Sequence, residues 1–125
     1  LRYEVAPFGI DIALVEPGPF GTNLLAAGKP PANQAVLDSY GALAEVPRQM
    51  VSGFAEMLAS DEAPDPQLVV DAYLKLATTA AGKRPTRTVV GITWGVDRMN
   101  ALTQPMQDQL LQEMQLEAAL GGASA

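Results

Sequence analysis

The chain has no cysteine and no histidine among its 125 residues. Without thiols there is no disulfide framework and no thiolate nucleophile; without imidazole there is no Ser-His pair and no ordinary zinc site. Basic residues are also scarce. Eight Lys and Arg against fourteen Asp and Glu leave a formal charge of −6. That balance opposes binding to phosphate backbones or anionic membrane surfaces, so nucleic acid and membrane are not expected partners. No window approaches the roughly 18 uninterrupted apolar residues of a membrane-spanning helix. There is no basic-then-apolar leader of the secretory kind, and the expected location is the cytoplasm.

The apolar fraction is 48%, the composition of a globular protein, and the length suits one structural unit. The chain opens Leu1-Arg2-Tyr3-Glu4-Val5 without an initiator methionine. It reads as the interior of a helix, with Leu1 and Val5 on one face and Pro7 and Gly9 as stop signals. The expectation is that sequence is missing upstream.

After the stop, Ile10 to Glu16 is a short run dense in apolar and β-branched residues, the pattern of a strand buried on both faces in a parallel sheet. It leads into Pro17-Gly18-Pro19-Phe20-Gly21-Thr22-Asn23, where two prolines and two glycines stop both helix and strand. A loop at the carboxyl end of such a strand is where ligands bind in open α/β sheets. Beyond Lys29-Pro30-Pro31, residues 33–60 read as two helices broken at Pro47, with Ala35, Val36, Leu37, Tyr40, Leu43 and Ala44 before the break and Met50, Val51, Phe54, Met57 and Leu58 after it.

Asp65-Pro66 suits a helix start, and a helix is predicted over about 66–80 with Val69, Val70, Tyr73, Leu74, Leu76 and Ala77 on its apolar face. Gly82-Lys83-Arg84-Pro85 stops it, its basic residues suiting a helix C-terminus. Arg87 to Ile92 makes a second strand. Residues 96–120 are helical by composition, with Pro105 expected to kink or split the helix, and residues 121–125 form a frayed tail. There is no internal repeat. Two strands cannot make a parallel sheet covered on both faces, which again suggests further strands upstream.

The stretch from Leu1 to Asn23, with its R-Y-E-x-A-P-F-G-I helix stop, apolar strand and P-G-x-x-x-T loop, resembles the short-chain dehydrogenase/reductase family. The Asp-Pro helix start and the late R-x-x-V-V-G strand resemble the rest of that family's carboxyl-terminal half. The resemblance implies an α/β fold: the C-terminal part of a Rossmann-like, doubly wound parallel sheet. Residues 1–32 would supply helix end, strand and Pro-Gly loop, residues 33–64 a helical substrate-side insertion, and residues 65–125 helix, last strand and terminal helix.

It further implies an oxidoreductase moving a hydride between NAD or NADP and a carbonyl or secondary alcohol. Pro17 and Gly18 would shape the backbone against the nicotinamide ring, and Thr22 would hydrogen-bond its carboxamide or an adjacent phosphate. Phe20, Asn23 and Leu24 would face the substrate, and the insertion would close over it.

The family's glycine-rich turn, catalytic serine and Tyr-x-x-x-Lys pair would all lie upstream of Leu1. Tyr3, Tyr40 and Tyr73 are followed four residues on by Pro7, Ala44 and Ala77, so none has the lysine that would lower its pKa. No catalytic residue carries over, and neither turnover nor more than weak cofactor binding is expected of this chain alone. Asp61, Glu62 and Asp65 lack ligand spacing and are read as a solvated loop rather than a metal site. Lys83, Arg84 and Arg87 are read as helix-end charges rather than a phosphate site. Trp94 and Met99 fit either an interface or packing within the chain. The rival expectation is a truncated, non-catalytic module acting by association with a partner or as a homo-oligomer, because an uncovered strand edge invites company.

Overall fold

The computed structural model describes residues 1–117. It is a mixed helix and strand fold whose order is α1 (Arg2–Val5), β1 (Leu14–Pro17), α2 (Gln34–Ser39), α3 (Val46–Leu58), α4 (Gln67–Thr78), β2 (Arg87–Val90) and α5 (Val96–Glu113), with 3-10 turns at Ala6–Phe8 and Gly41–Glu45. The chain divides into two compact units: Leu1–Gly18 together with the residues from Gln67 onward, and Pro19–Pro66.

In the first unit, β1 and β2 pair in parallel, with Leu14 opposite Arg87, Val15 opposite Thr88, Glu16 opposite Val89 and Pro17 opposite Val90. A parallel pair needs a crossover, because the chain must return to the starting end of the sheet. Here α4, which packs on both strands, lies in that crossover. The strand expected over residues 10–16 begins later, at Leu14, whose N–H reaches the Thr86 carbonyl at 2.8 Å. Apolar density along 10–13 reflects where the chain wants shelter, whereas the ladder begins only where β2 can answer it. The second strand ends at Val90, two residues early, because Gly91 turns to φ 81°.

The expectation of a strand sandwiched on both faces is not met. Leu14 is 50% exposed and no residue of β1 is buried. Among the described residues the sheet has only these two strands, so there is no neighbour to cover its flanks. What closes the unit instead is polar. Side chains two apart in a strand share a face, and on one face of the sheet the Glu16 carboxylate meets Asn100 of α5. The Asn100 amide donates to Glu16 Oε2 at 2.6 Å, and its Oδ1 accepts from Arg87 at 2.9 Å. Arg87 Nε lies 4.0 Å from Glu16 Oε1, an ion-pair distance. Asn100 is buried, as are Thr86, Val90 and Leu111. One amide thus ties both strands to the terminal helix.

Two predicted breaks fall differently. Pro47 starts α3 rather than dividing a helix, since a proline in the first turn gives up no intrahelical bond. The break lies upstream, where Gly41 adopts φ 53°, a left-handed geometry that glycine takes without steric penalty. Pro105 lies within the continuous helix α5. The turns on either side are anchored by buried Asn100 and Leu111, which offsets the bond that its missing N–H removes. Helix α5 ends at Glu113, with Gln115 at φ 58° immediately after. The rest of the predicted helix from 118 and the frayed tail at 121–125 lie outside the described residues.

In the second unit, Asn33 caps α2 by accepting the Val36 N–H at 3.2 Å, and α3 closes with the Ser60 hydroxyl donating to the Met57 carbonyl at 2.7 Å. Phe54, Met57 and Leu58 are half-buried, whereas Met50 and Val51 are exposed.

Truncating Asn100 strands the Glu16 carboxylate and the Arg87 guanidinium together. Asn100→Ala is expected to lower unfolding stability by about 2 kcal/mol, since hydrogen bonds to charged groups are worth roughly 1.5–3 kcal/mol each and water recovers part. The midpoint of urea unfolding, at unchanged slope, measures it.

Candidate functional site

The two halves of the predicted loop fall in different structural settings. Pro17 is the last residue of β1, and Gly18 continues its backbone, donating its N–H to the Val90 carbonyl at 2.8 Å. A Cβ added at Gly18 would overlap the Ile92 carbonyl oxygen. Glycine is required here by the chain's own backbone, which crosses at a separation that excludes any side chain. Pro17 and Gly18 therefore lie at the carboxyl edge of the parallel pair, the edge at which open α/β sheets place ligands.

Thr22, Phe20, Asn23 and Leu24 belong to the second unit and form a compact turn. The Thr22 N–H reaches the Phe20 carbonyl at 2.8 Å, the Leu24 N–H reaches the Thr22 hydroxyl oxygen at 3.4 Å, and the Ala27 N–H reaches the Asn23 carbonyl at 2.9 Å. This is a hydroxyl-capped single turn, the local bonding that threonine favours. Thr22, Asn23 and Leu24 are exposed, Leu24 at 75%, and Phe20 is half-buried. The same unit packs Gly21 against the carboxyl end of α3, where a Cβ would stand 3.0 Å from the Leu58 carbonyl oxygen. The Thr22 hydroxyl keeps its proton available to an acceptor.

No family model matches the chain, and no curated protein or solved structure matches it. Its chemistry is therefore read from its own side chains. Among the described residues no group of three carboxylates could hold a metal ion, and no helix is long and apolar enough to cross a membrane.

The residues that sequence reasoning passed over are Asp11, Glu16 and Asn100, the partners of Arg84 and Arg87. The Asp11 carboxylate accepts from the Gly82 N–H and from the Arg84 guanidinium, both at 2.8 Å. Arg84 Nε in turn donates to the Leu76 carbonyl at 2.9 Å, in the last turn of α4, where a cation also suits the helix dipole. The helix-end reading fits Arg84. It does not fit Arg87, which sits in β2 and bridges to Asn100 and Glu16. Two carboxylates inside a run read as buried strand were the available signal, since a charge there requires a partner.

The Gly82 N–H holds the Asp11 carboxyl below its usual range, with Arg84 adding to the effect and desolvation opposing it. A depressed carboxylate contributes stability that is complete above its unfolded pKa of about 3.9 and is lost as pH falls through the lower folded value. Asp11→Asn is expected to cost up to about 1 kcal/mol at neutral pH, a solvent-screened pair being worth little more. The difference from the parent should vanish in acid. Chemical unfolding at several pH values down to strong acid checks both.

Gly18→Ala must displace the Ile92 backbone and is expected to destabilise by about 2 kcal/mol, in the range of overpacking. Thr22→Val, on an exposed turn, is expected to stay within about 0.5 kcal/mol of the parent. Paired thermal melts separate the two.

Proposed function

We propose that this chain is part of an NAD(P)-dependent short-chain oxidoreductase of Rossmann-like, doubly wound architecture, in which the Pro17-Gly18 strand end lines the nicotinamide end of the pocket. The observation that carries this reading is the Pro-Gly pair ending the first strand at the carboxyl edge of a parallel strand pair whose crossover holds a helix, together with the sequence pattern from Leu1 to Asn23. Parallel pairs with helical crossovers are the building unit of dinucleotide-binding sheets.

Gly18 owes its lack of a side chain to Ile92, so the fit to a nicotinamide rests on the flat, rigid backbone that Pro17 and Gly18 create together. Thr22 would hydrogen-bond the carboxamide, its hydroxyl being exposed and held only at 3.4 Å by Leu24. Phe20, Asn23 and Leu24 would meet a carbonyl or secondary alcohol substrate, and residues 33–64 would form the substrate-side insertion. The bound cofactor, NAD or NADP, would supply the hydride. The chain's own part is to orient and to exclude water. It holds no Tyr-x-x-x-Lys pair, so proton transfer to the substrate oxygen falls to residues outside it.

The coding sequence read in frame upstream of Leu1 tests this. The expected result is a glycine-rich turn followed by a Tyr-x-x-x-Lys pair. A protein carrying that extension should reduce carbonyl compounds, with Thr22→Ala raising KM for the nicotinamide cofactor by about tenfold, the equivalent of one hydrogen bond of roughly 1.4 kcal/mol. A stop codon or unrelated sequence directly upstream, or an extended protein that binds neither NADH nor NADPH, overturns the reading.

A further inference from the structure

The connection from β2 to α5 passes through three residues at positive φ: Gly91 at 81°, Trp94 at 45° and Gly95 at 87°. Two of the three are glycine, which takes that geometry without steric penalty. The third carries the bulkiest of side chains, and a bulky residue at positive φ is a true outlier. Among the described residues the other non-glycine case is Gln115, just past the end of α5, where left-handed geometry ordinarily closes a helix. Trp94 closes no helix, since α5 begins only after it. Strain of this kind persists where neighbouring bonds fix the backbone. Here the Val96 N–H reaches the Thr93 carbonyl at 2.9 Å and the Gly95 N–H reaches the Thr93 hydroxyl oxygen at 3.4 Å. The Thr93 hydroxyl in turn donates to the Asp97 carboxylate, holding that carboxyl below its usual range.

This turn stands at the carboxyl edge of the strand pair. Strand β2 ends at Val90, opposite Pro17, and the Ile92 backbone comes so close to Gly18 that no side chain fits between them. Trp94 follows Ile92 by two residues, at most about 7 Å of chain, and its side chain is exposed. Apolar side chains are exposed on many elements of the chain. What sets Trp94 apart is a strained backbone, rigidly held, at the edge where open α/β sheets bind ligands.

We propose that Trp94 is a ligand platform whose indole stacks on a planar ring, and that the substrate carbonyl is one carried by an uncharged aromatic compound. The stacking rests on the strain and place of Trp94; the carbonyl rests on the cofactor reading above. A carbonyl that takes hydride from a nicotinamide lies within about 3.5 Å of the ring, so it would sit over the Pro17-Gly18 strand end and within reach of the turn that carries Trp94. Indole offers a wide apolar face and a single N–H donor, a surface that gains most from a second flat ring. The chain's net charge of −6 disfavours an aromatic carboxylate and leaves neutral aromatic ketones and aldehydes unopposed.

The chain has one tryptophan, so its indole N–H gives a single nuclear magnetic resonance signal that reports on Trp94 alone. Titrating the isotope-labelled chain with acetophenone is expected to move that signal and the Gly18 amide along one saturable curve. Cyclohexyl methyl ketone, the same carbonyl on a puckered ring, should bind about fivefold more weakly, the preference expected of an aromatic pair. Trp94→Leu, equally apolar but without a flat face, should remove the difference between the two ketones. Trp94→Gly should lose the acetophenone response at Gly18 yet melt no lower than the parent, because glycine relieves the left-handed strain. An indole signal that acetophenone leaves in place overturns the proposal, as does equal affinity for the two ketones. A Trp94→Gly variant that melts below the parent also overturns it, by showing that the indole is held for packing. The cofactor reading is decided separately, by the upstream sequence and by NADH or NADPH binding to the extended protein, so either can fail without the other.

Discussion

The structure depends on a single buried amide. Asn100 accepts from Arg87 of β2 and donates to Glu16 of β1 while riding on α5, so three elements far apart in the chain are held by one side chain. A sheltered charge is tolerated best when paired and hydrogen-bonded, and here the amide bonds to both half-buried charges, while the Arg87 Nε, buried without a hydrogen bond, is left with the Glu16 carboxylate at 4.0 Å. The apolar contribution at this place is slight: Val90 and Leu111 are the buried hydrophobic residues among those described. The geometry of the strand pair is therefore specified more by polar complementarity than by the volume of a core. Such networks select one register, because a shift of a single residue along either strand would turn Glu16 or Arg87 to the opposite face.

Element types were legible in the sequence and their edges were not. The apolar runs at Ile10–Glu16 and Arg87–Ile92 announced strands, and both exist in shortened form. Strand length is set by the partner, which no local pattern reveals. Proline misled twice because its effect depends on position: Pro47 opens a helix, and Pro105 is carried inside one. The left-handed Gly41 made the break that had been assigned to Pro47.

For the candidate site, the loop's place at a strand's carboxyl end followed from composition, and Pro17 and Gly18 occupy it. The reason for Gly18 was hidden, since only the fold brings Ile92 to it. The two anchoring carboxylates were hidden for a related reason. Asp11 and Glu16 find their partners more than seventy positions along the chain, and a local window weighs them only as exceptions to an apolar run.

The parallel pairing of β1 with β2 also governs how the chain can vary. Both ends of the segment Pro19–Pro66 return to the first unit, and the strands meet only after the whole stretch between Pro17 and Arg87 has been closed into a loop. The entropy of that closure rises slowly, by about 0.6 kcal/mol for each doubling of loop length. Residues added to or removed from the middle unit therefore change the cost of assembling the sheet very little. The fold separates a segment whose length is nearly free to drift from a strand pair whose register is pinned by Asn100.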